Sequence, residues 1–165
     1  MRHLVTFGVG PAWYAADIGA VERVLRLEGV HPVPGMPAWM EGVIDYAGRV
    51  VPVVDLRRRL AAGGAAGEAA GTGGRLLVLV GDGEWLAARV DRVVDVRAVA
   101  EGDVAAAPAM VQGRAGEFVR GVFRRDGTMV FVLDVARLFS LEERDALRAA
   151  ATPLHGGRHA DVALA

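Results

Sequence analysis

The sequence predicts an all-β protein made of two small β-barrels packed against each other, and three observations carry that reading. Ten short runs rich in Val, Leu and Phe follow one another along the chain, each set between turn formers. Tight-turn chemistry recurs at Gly8-Val9-Gly10-Pro11, Ala47-Gly48, Gly81-Asp82-Gly83 and Asp126-Gly127. Two stretches of the chain also repeat each other. Many short strands with closely spaced turns are the pattern of small barrels.

The first strands are expected at Leu4–Val9, Trp13–Ile18 and Val21–Leu27, followed by Gly42–Tyr46 and Arg49–Val54. Pro52 lies in the last of these, where its missing N–H predicts an edge or a bulge. Ala61–Gly74 is nearly all Ala and Gly, with Glu68 as its only charge, and reads as a flexible linker. Strands resume at Leu76–Val80, Glu84–Val90, Arg92–Val96, Phe118–Arg124 and Met129–Leu133. Leu76-Leu77-Val78-Leu79-Val80 is apolar on both faces and should be buried on both. Asp126-Gly127 is the strongest hairpin signal, because a type I′ turn needs residues that tolerate positive φ. Ser140-Leu141-Glu142-Glu143 has capping-box spacing and predicts a helix running to about Ala150. Residues 151–165 read as a flexible tail.

Internal similarity is the most informative feature. Trp13–Val24 moved forward by 72 positions falls on Trp85–Val96, aligning Trp13 with Trp85, Ala16 with Ala88 and Val24 with Val96. Gly42–Leu56 falls on Gly121–Val135 at an offset of 79, aligning Gly42 with Gly121, Gly48 with Gly127 and Asp55 with Asp134. The chain thus reads as two copies of one β unit, about 4–60 and 75–139, each ending in strand, aspartate and short helix. Asp55 and Asp134 are each expected to cap the helix that follows, Leu56–Leu60 or Val135–Phe139.

Composition limits the function. The chain has 165 residues, is 53% hydrophobic and has a formal charge of −1, so it predicts a packed globule without a cationic nucleic-acid footprint. It contains no cysteine, which removes disulfides and thiolate metal sites and is compatible with a reducing cytoplasm. The opening Met1–Phe7 is too short and too β-like for a signal peptide's apolar core, and no apolar run suits a membrane helix. Catalytic inventory is poor. No cysteine nucleophile and no phosphate-binding G-x-x-x-x-G-K-[ST] loop exists, and Gly156-Gly157 separates His155 from His159. The expectation is a protein that is no enzyme and needs no cofactor or metal.

Gly42-Val43-Ile44-Asp45-Tyr46-Ala47-Gly48-Arg49-Val50-Val51-Pro52-Val53-Val54-Asp55-Leu56-Arg57 resembles the central signature of the CheW-like chemotaxis coupling proteins, G-V-x-N-L-R-G-x-[VI]-[VI]-P-[VI]-[VI]-D-L-R. Pro37-Ala38-Trp39-Met40-Glu41-Gly42 is similar to that family's P-x-[FW]-[IM]-x-G entry, and Val90-Asp91-Arg92-Val93-Val94-Asp95-Val96 to its V-D-x-V-x-[DE]-V pair. The likeness runs from about Val5 to Arg148, within a single domain over residues 3–150. It implies two SH3-like five-stranded barrels on a shared hydrophobic interface, with the first strand able to join the second barrel. It also implies a non-catalytic adaptor in the cytoplasm, recruited to receptor arrays at the inner membrane without inserting into it. The implied partners are the regulatory domain of a CheA-type histidine kinase and the cytoplasmic tip of a methyl-accepting chemoreceptor.

The same resemblance places kinase and receptor contacts at Val21, Val24, Gly42, Gly48 and Val90. The residues allow plainer roles: core for the valines, special backbone geometry for the glycines. Three positions depart from the family pattern. Arg23 stands where a glutamate is usual, while Asp45 and Ala47 replace the asparagine and arginine of N-L-R-G, changing local charge complementarity. Trp13 and Trp85 read as core, Trp39 as a plug at a barrel end, and Arg57-Arg58-Arg59 as a solvated face. Two alternatives stay open: an adaptor of a divergent, non-flagellar chemosensory pathway, and a small-molecule-binding barrel using Trp13 or Trp85 as a platform.

Overall fold

The computed structural model describes residues 1–60, 74–81, 83–107 and 118–138. The capping box at Ser140, the helix to Ala150, the tail 151–165 and all of the Ala/Gly linker but Gly74 lie outside these residues. All ten expected strands form, with ends shifted by no more than three residues: β1 (Arg2–Val9), β2 (Ala12–Asp17), β3 (Val21–Arg26), β4 (Met40–Tyr46), β5 (Arg49–Asp55), β6 (Arg75–Gly81), β7 (Glu84–Val90), β8 (Arg92–Val99), β9 (Val119–Arg125) and β10 (Thr128–Leu133). One α-helix, α1 (Leu56–Leu60), follows β5. The short helix expected after β10 is a 3-10 turn over Val135–Leu138.

The strands form two five-stranded sheets, β8-β1-β2-β10-β9 and β3-β6-β7-β5-β4. The sheets do not coincide with the sequence repeats. Both β1 and β2 leave the first repeat to pair with β8 and β10, and β6 and β7 leave the second to pair with β3 and β5. The exchange is therefore reciprocal and involves two strands each way, one more than the first strand alone.

Duplication is visible down to the register. In β1–β8 the pairing Thr6 to Asp95 is followed by Phe7 to Val93, leaving Val94 as a bulge. In β3–β6 the pairing Val78 to Arg23 is followed by Leu79 to Val21, leaving Glu22 as a bulge at the equivalent place. Glu41 in β4 and Arg120 in β9 are skipped in the same equivalent way. A bulge places one extra residue in one strand and sharpens its twist. Matched bulges therefore give both sheets the same curl.

Alternation along the strands makes three cores. Leu4, Ala15, Val99, Phe123, Val130 and Val132 fill the β8–β9 barrel. Ile44, Val51, Val53, Leu76 and Ala87 fill the other. The opposite faces of β1 and β6, with Val5, Phe7, Leu77 and Leu79, meet in a larger cluster between the barrels. That is why Leu76–Leu79 is apolar without alternation: one face serves a barrel and the other the shared interface.

The expected caps form. Asp55 Oδ1 accepts from the Arg57 N–H at 3.0 Å, and Asp134 Oδ1 from the Ala136 N–H at 3.0 Å. The Asp55 N–H donates to the Trp39 carbonyl at 2.9 Å, and the Asp134 N–H to the Phe118 carbonyl at 2.8 Å. Pro52 departs from expectation, since β5 is an interior strand. Val43 directs its N–H and C=O outward to His31, so its partner Pro52 turns its own nitrogen towards β7. The β5–β7 ladder begins only at Val53, so the missing donor costs no ladder bond. The arginine run is also corrected. Arg58 is exposed, but Arg59 is 2% exposed, its guanidinium 4.3 Å from the Phe118 ring and 5.5 Å from the Trp39 ring. Trp39 packs on the cluster between the barrels, so it closes their interface, not one barrel's end.

Candidate partner-docking surfaces

A five-stranded sheet leaves two edges, and the chain treats its four edges differently. Alongside β4, His31 and Val43 exchange two backbone hydrogen bonds of 2.8 and 2.9 Å. Alongside β9, Ala105 and Val122 exchange two of 2.8 Å. The outer edges of β3 and β8 have no strand partner among the described residues. An uncovered edge offers backbone donors and acceptors to another chain.

Both open edges also carry exposed apolar residues. Val24 on β3 is 41% exposed, and its repeat equivalent Val96 on β8 is 51% exposed. Ile18, in the 3-10 turn leading into β3, and Val94, the β8 bulge, are exposed beside them. Ile18, Val94 and Val96 were not singled out in the sequence. The alternation of Val93 to Val99 was the available signal, but the bulge at Val94 breaks its phase.

Most of the expected contact residues lie around the β3–β6–β7–β5–β4 barrel. Val21 is half-buried against the interface cluster, Arg23 is exposed on β3, and Val24 is exposed instead of core. Ala47 and Gly48 form the β4–β5 turn, with φ 51° and φ 80°, and Asp45 stands near the end of β4 beside it. Asp45 Oδ1 accepts from the Gly48 N–H at 3.0 Å and steadies that turn. Leu25 and Leu27 share one cluster with Ile44 and Tyr46, so β3 and β4 curl towards each other around a common core. Gly42 has a packing reason of its own, because a Cβ there would lie 2.2 Å from the His31 carbonyl oxygen. Val90 does not join this surface. It is 1% exposed and belongs to the cluster between the barrels, so it supports the surface from within.

Neither platform tryptophan is fully buried. Trp85 lies 6.1 Å from the Tyr46 ring, with the Arg49 guanidinium 4.3 Å from its centroid. Trp13 carries the Arg92 guanidinium at 4.3 Å. Gly8, paired with Trp13, makes room for that contact, since a Cβ there would lie 2.6 Å from Arg92 Cζ. Among the described residues no group of three or more His, Asp or Glu side chains is placed to hold a metal ion.

Comparison with known proteins agrees with this architecture. The model of a family described as "CheW-like domain" matches residues 3–143. The chain is 32% identical over 146 residues to a chemotaxis protein CheW of Treponema pallidum (strain Nichols), covering 87% of this chain and 85% of that one. It is 30% identical over 147 residues to a chemotaxis protein CheW of Rhizobium meliloti (strain 1021), covering 88% and 92%. Its fold matches the crystal structure of the scaffolding protein TtCheW from Thermoanaerobacter tengcongensis with a TM-score of 0.76 at 24% identity, over 86% of this chain and 90% of that one.

Proposed function

The chain belongs to the CheW-like domain family, and from that premise we infer that it is a chemotaxis coupling adaptor, a scaffold joining chemoreceptors to a CheA-type histidine kinase. The observation that carries the reading is the pair of edges, β3 and β8, that no described residue covers, on two barrels locked by one shared core. A coupling protein needs two faces held in fixed relation, and this body supplies them without chemistry. It acts by binding alone.

The finer assignment is part of the proposal. One face takes the kinase's regulatory domain and the other the cytoplasmic tip of the receptor, which brings the adaptor to arrays at the inner membrane. No helix among the described residues is long and apolar enough to cross a membrane. Val21, Val24 and the β4–β5 turn form the first-barrel face. Arg23, Asp45 and Ala47 tune its partner choice, which supports service in a divergent chemosensory system with its own matched kinase. Exposed charges at a rim set on-rate and selectivity more than affinity.

Co-purification from the native cell tests the core claim, with a CheA-type kinase and a chemoreceptor expected in the bound fraction. Absence of both removes it. Val24→Glu is expected to weaken one partner about tenfold, roughly 1.4 kcal/mol, while leaving thermal stability unchanged, because the side chain is already exposed. Restoring Arg23→Glu and Ala47→Arg together should improve binding to a kinase with the usual family interface. No gain, or strong binding before the change, ends the matched-kinase reading.

A further inference from the structure

Because the two barrels are copies, each serves as a control for the other, and they pack their equivalent tryptophans differently. In the β3–β4 barrel the Tyr46 ring packs against Trp85 at 6.1 Å between centroids, and the Arg49 guanidinium covers the same indole at 4.3 Å. The equivalents in the β8–β9 barrel are Trp13, Arg125 for Tyr46, and Thr128 for Arg49. Trp13 carries a cation too, the Arg92 guanidinium at 4.3 Å from the β8 side, but among the described residues no aromatic ring takes the place of Tyr46 on its β10 side, and Arg125 does not cover it there. The Arg125 guanidinium is drawn to Asp95, donating to Oδ2 at 2.6 Å. What remains is a surface hollow of about 130 Å³ lined by Trp13, Arg125, Asp126, Thr128 and Val130.

Beside that hollow a buried polar residue stands where the other barrel has a valine. Thr6 is completely buried and pairs across the ladder with Asp95, and its repeat equivalent is Val78. Thr6 Oγ1, Asp95 Oδ1 and Arg125 Nε are all buried and have no hydrogen-bond partner among the described residues. Buried polar atoms normally find partners. Their clustering beside the hollow marks a place where hydrogen-bonding capacity is held in reserve.

We propose that the hollow between Trp13 and the β9–β10 hairpin is a docking site for a tyrosine side chain presented by a partner protein, the ring packing against Trp13 as Tyr46 packs against Trp85 and the phenol oxygen accepting from the Arg125 guanidinium. Asp95 already neutralises Arg125, and Asp126 stands at the rim, so a neutral phenol fits better than an aromatic carboxylate. A ring in so shallow a hollow binds weakly by itself. A partner that anchors it elsewhere raises its effective concentration.

The test needs neither kinase nor receptor, so its outcome is separate from that of the adaptor reading. The full chain is titrated with N-acetyl-tyrosinamide while the indole N–H signals of Trp13, Trp39 and Trp85 are followed by NMR. A saturable shift confined to Trp13 is expected, with at least threefold weaker binding of N-acetyl-phenylalaninamide. Arg125→Tyr builds the missing ring and should abolish the response. Thr128→Arg, at an exposed position, supplies the Arg49 equivalent and should abolish it with the Asp95–Arg125 pair intact. A flat titration at Trp13, an equal shift at Trp85, equal binding of both amides, or an unchanged response in Thr128→Arg overturns the proposal.

Discussion

Arg59 places its cation between the rings of Trp39 and Phe118 and donates to the Leu138 carbonyl at 3.4 Å, joining elements of both repeats. Desolvated cation–π contacts and a long buried stem both contribute. Arg59→Ala is expected to cost about 2–4 kcal/mol in chemical denaturation, as for other large buried truncations. Arg59→Met, which keeps the volume, should cost distinctly less. The sequence hid this role. Three identical letters on a five-residue helix read as one charged face, yet successive residues point about 100° apart and one had to turn inward. Tyr14 makes a second residue-scale case, since burial between Phe7 and Phe131 raises its phenol above the usual 10.0. Between the unfolded and folded values only the unfolded chain loses its proton. The stabilisation is therefore complete below about pH 10 and lost as pH rises through the folded value. Denaturant midpoints at about pH 9 and about pH 11 should show a smaller fall for Tyr14→Phe than for the parent chain.

At the scale of elements, the two hairpin turns are the same object with different first residues. Ala47 and Asp126 both have φ 51°, followed by Gly48 and Gly127 at φ 80°. Alanine is the poorer choice in that left-handed position, because its Cβ crowds the backbone without an Asp or Asn side chain's local hydrogen bonding. Ala47→Asn is expected to raise stability by about 0.5–1 kcal/mol, read as a higher denaturation midpoint. Gly42→Ala should do the opposite, by about 1–3 kcal/mol, because the new methyl meets the His31 carbonyl. Strands and turns were legible because apolar runs and Gly or Asp-Gly punctuation act locally. The sides that strands present were less so. Val24 looks like core by letter, but it follows the Glu22 bulge on an edge strand, and a bulge resets which face each residue occupies. The proposed first-barrel face was marked in the sequence only by the family pattern, through Arg23, Asp45 and Ala47, which the fold leaves at the β3 edge and the β4–β5 hairpin. The face on β8 was not marked, because nothing in the sequence says which strand ends a sheet.

For the whole molecule, the reciprocal exchange of β1–β2 and β6–β7 makes the barrels interdependent. Neither sheet can be assembled from one repeat, and the largest cluster draws on both. Unfolding should therefore be a single transition by far-UV circular dichroism and by tryptophan fluorescence alike. Two separated midpoints would show that the barrels melt independently.

That interleaving also dictates an order of events on the ribosome. When β5 has emerged, the growing chain holds β1 and β2 without β8 or β10 beside them, and β3 to β5 without β6 or β7. The β3–β4 barrel can close only once residue 90 is clear of the exit tunnel, and its sister only after residue 133. Until then several valine-rich segments stay open to the surrounding cytosol. Nascent-chain chaperones should accordingly engage this protein through most of its synthesis and release it near the end.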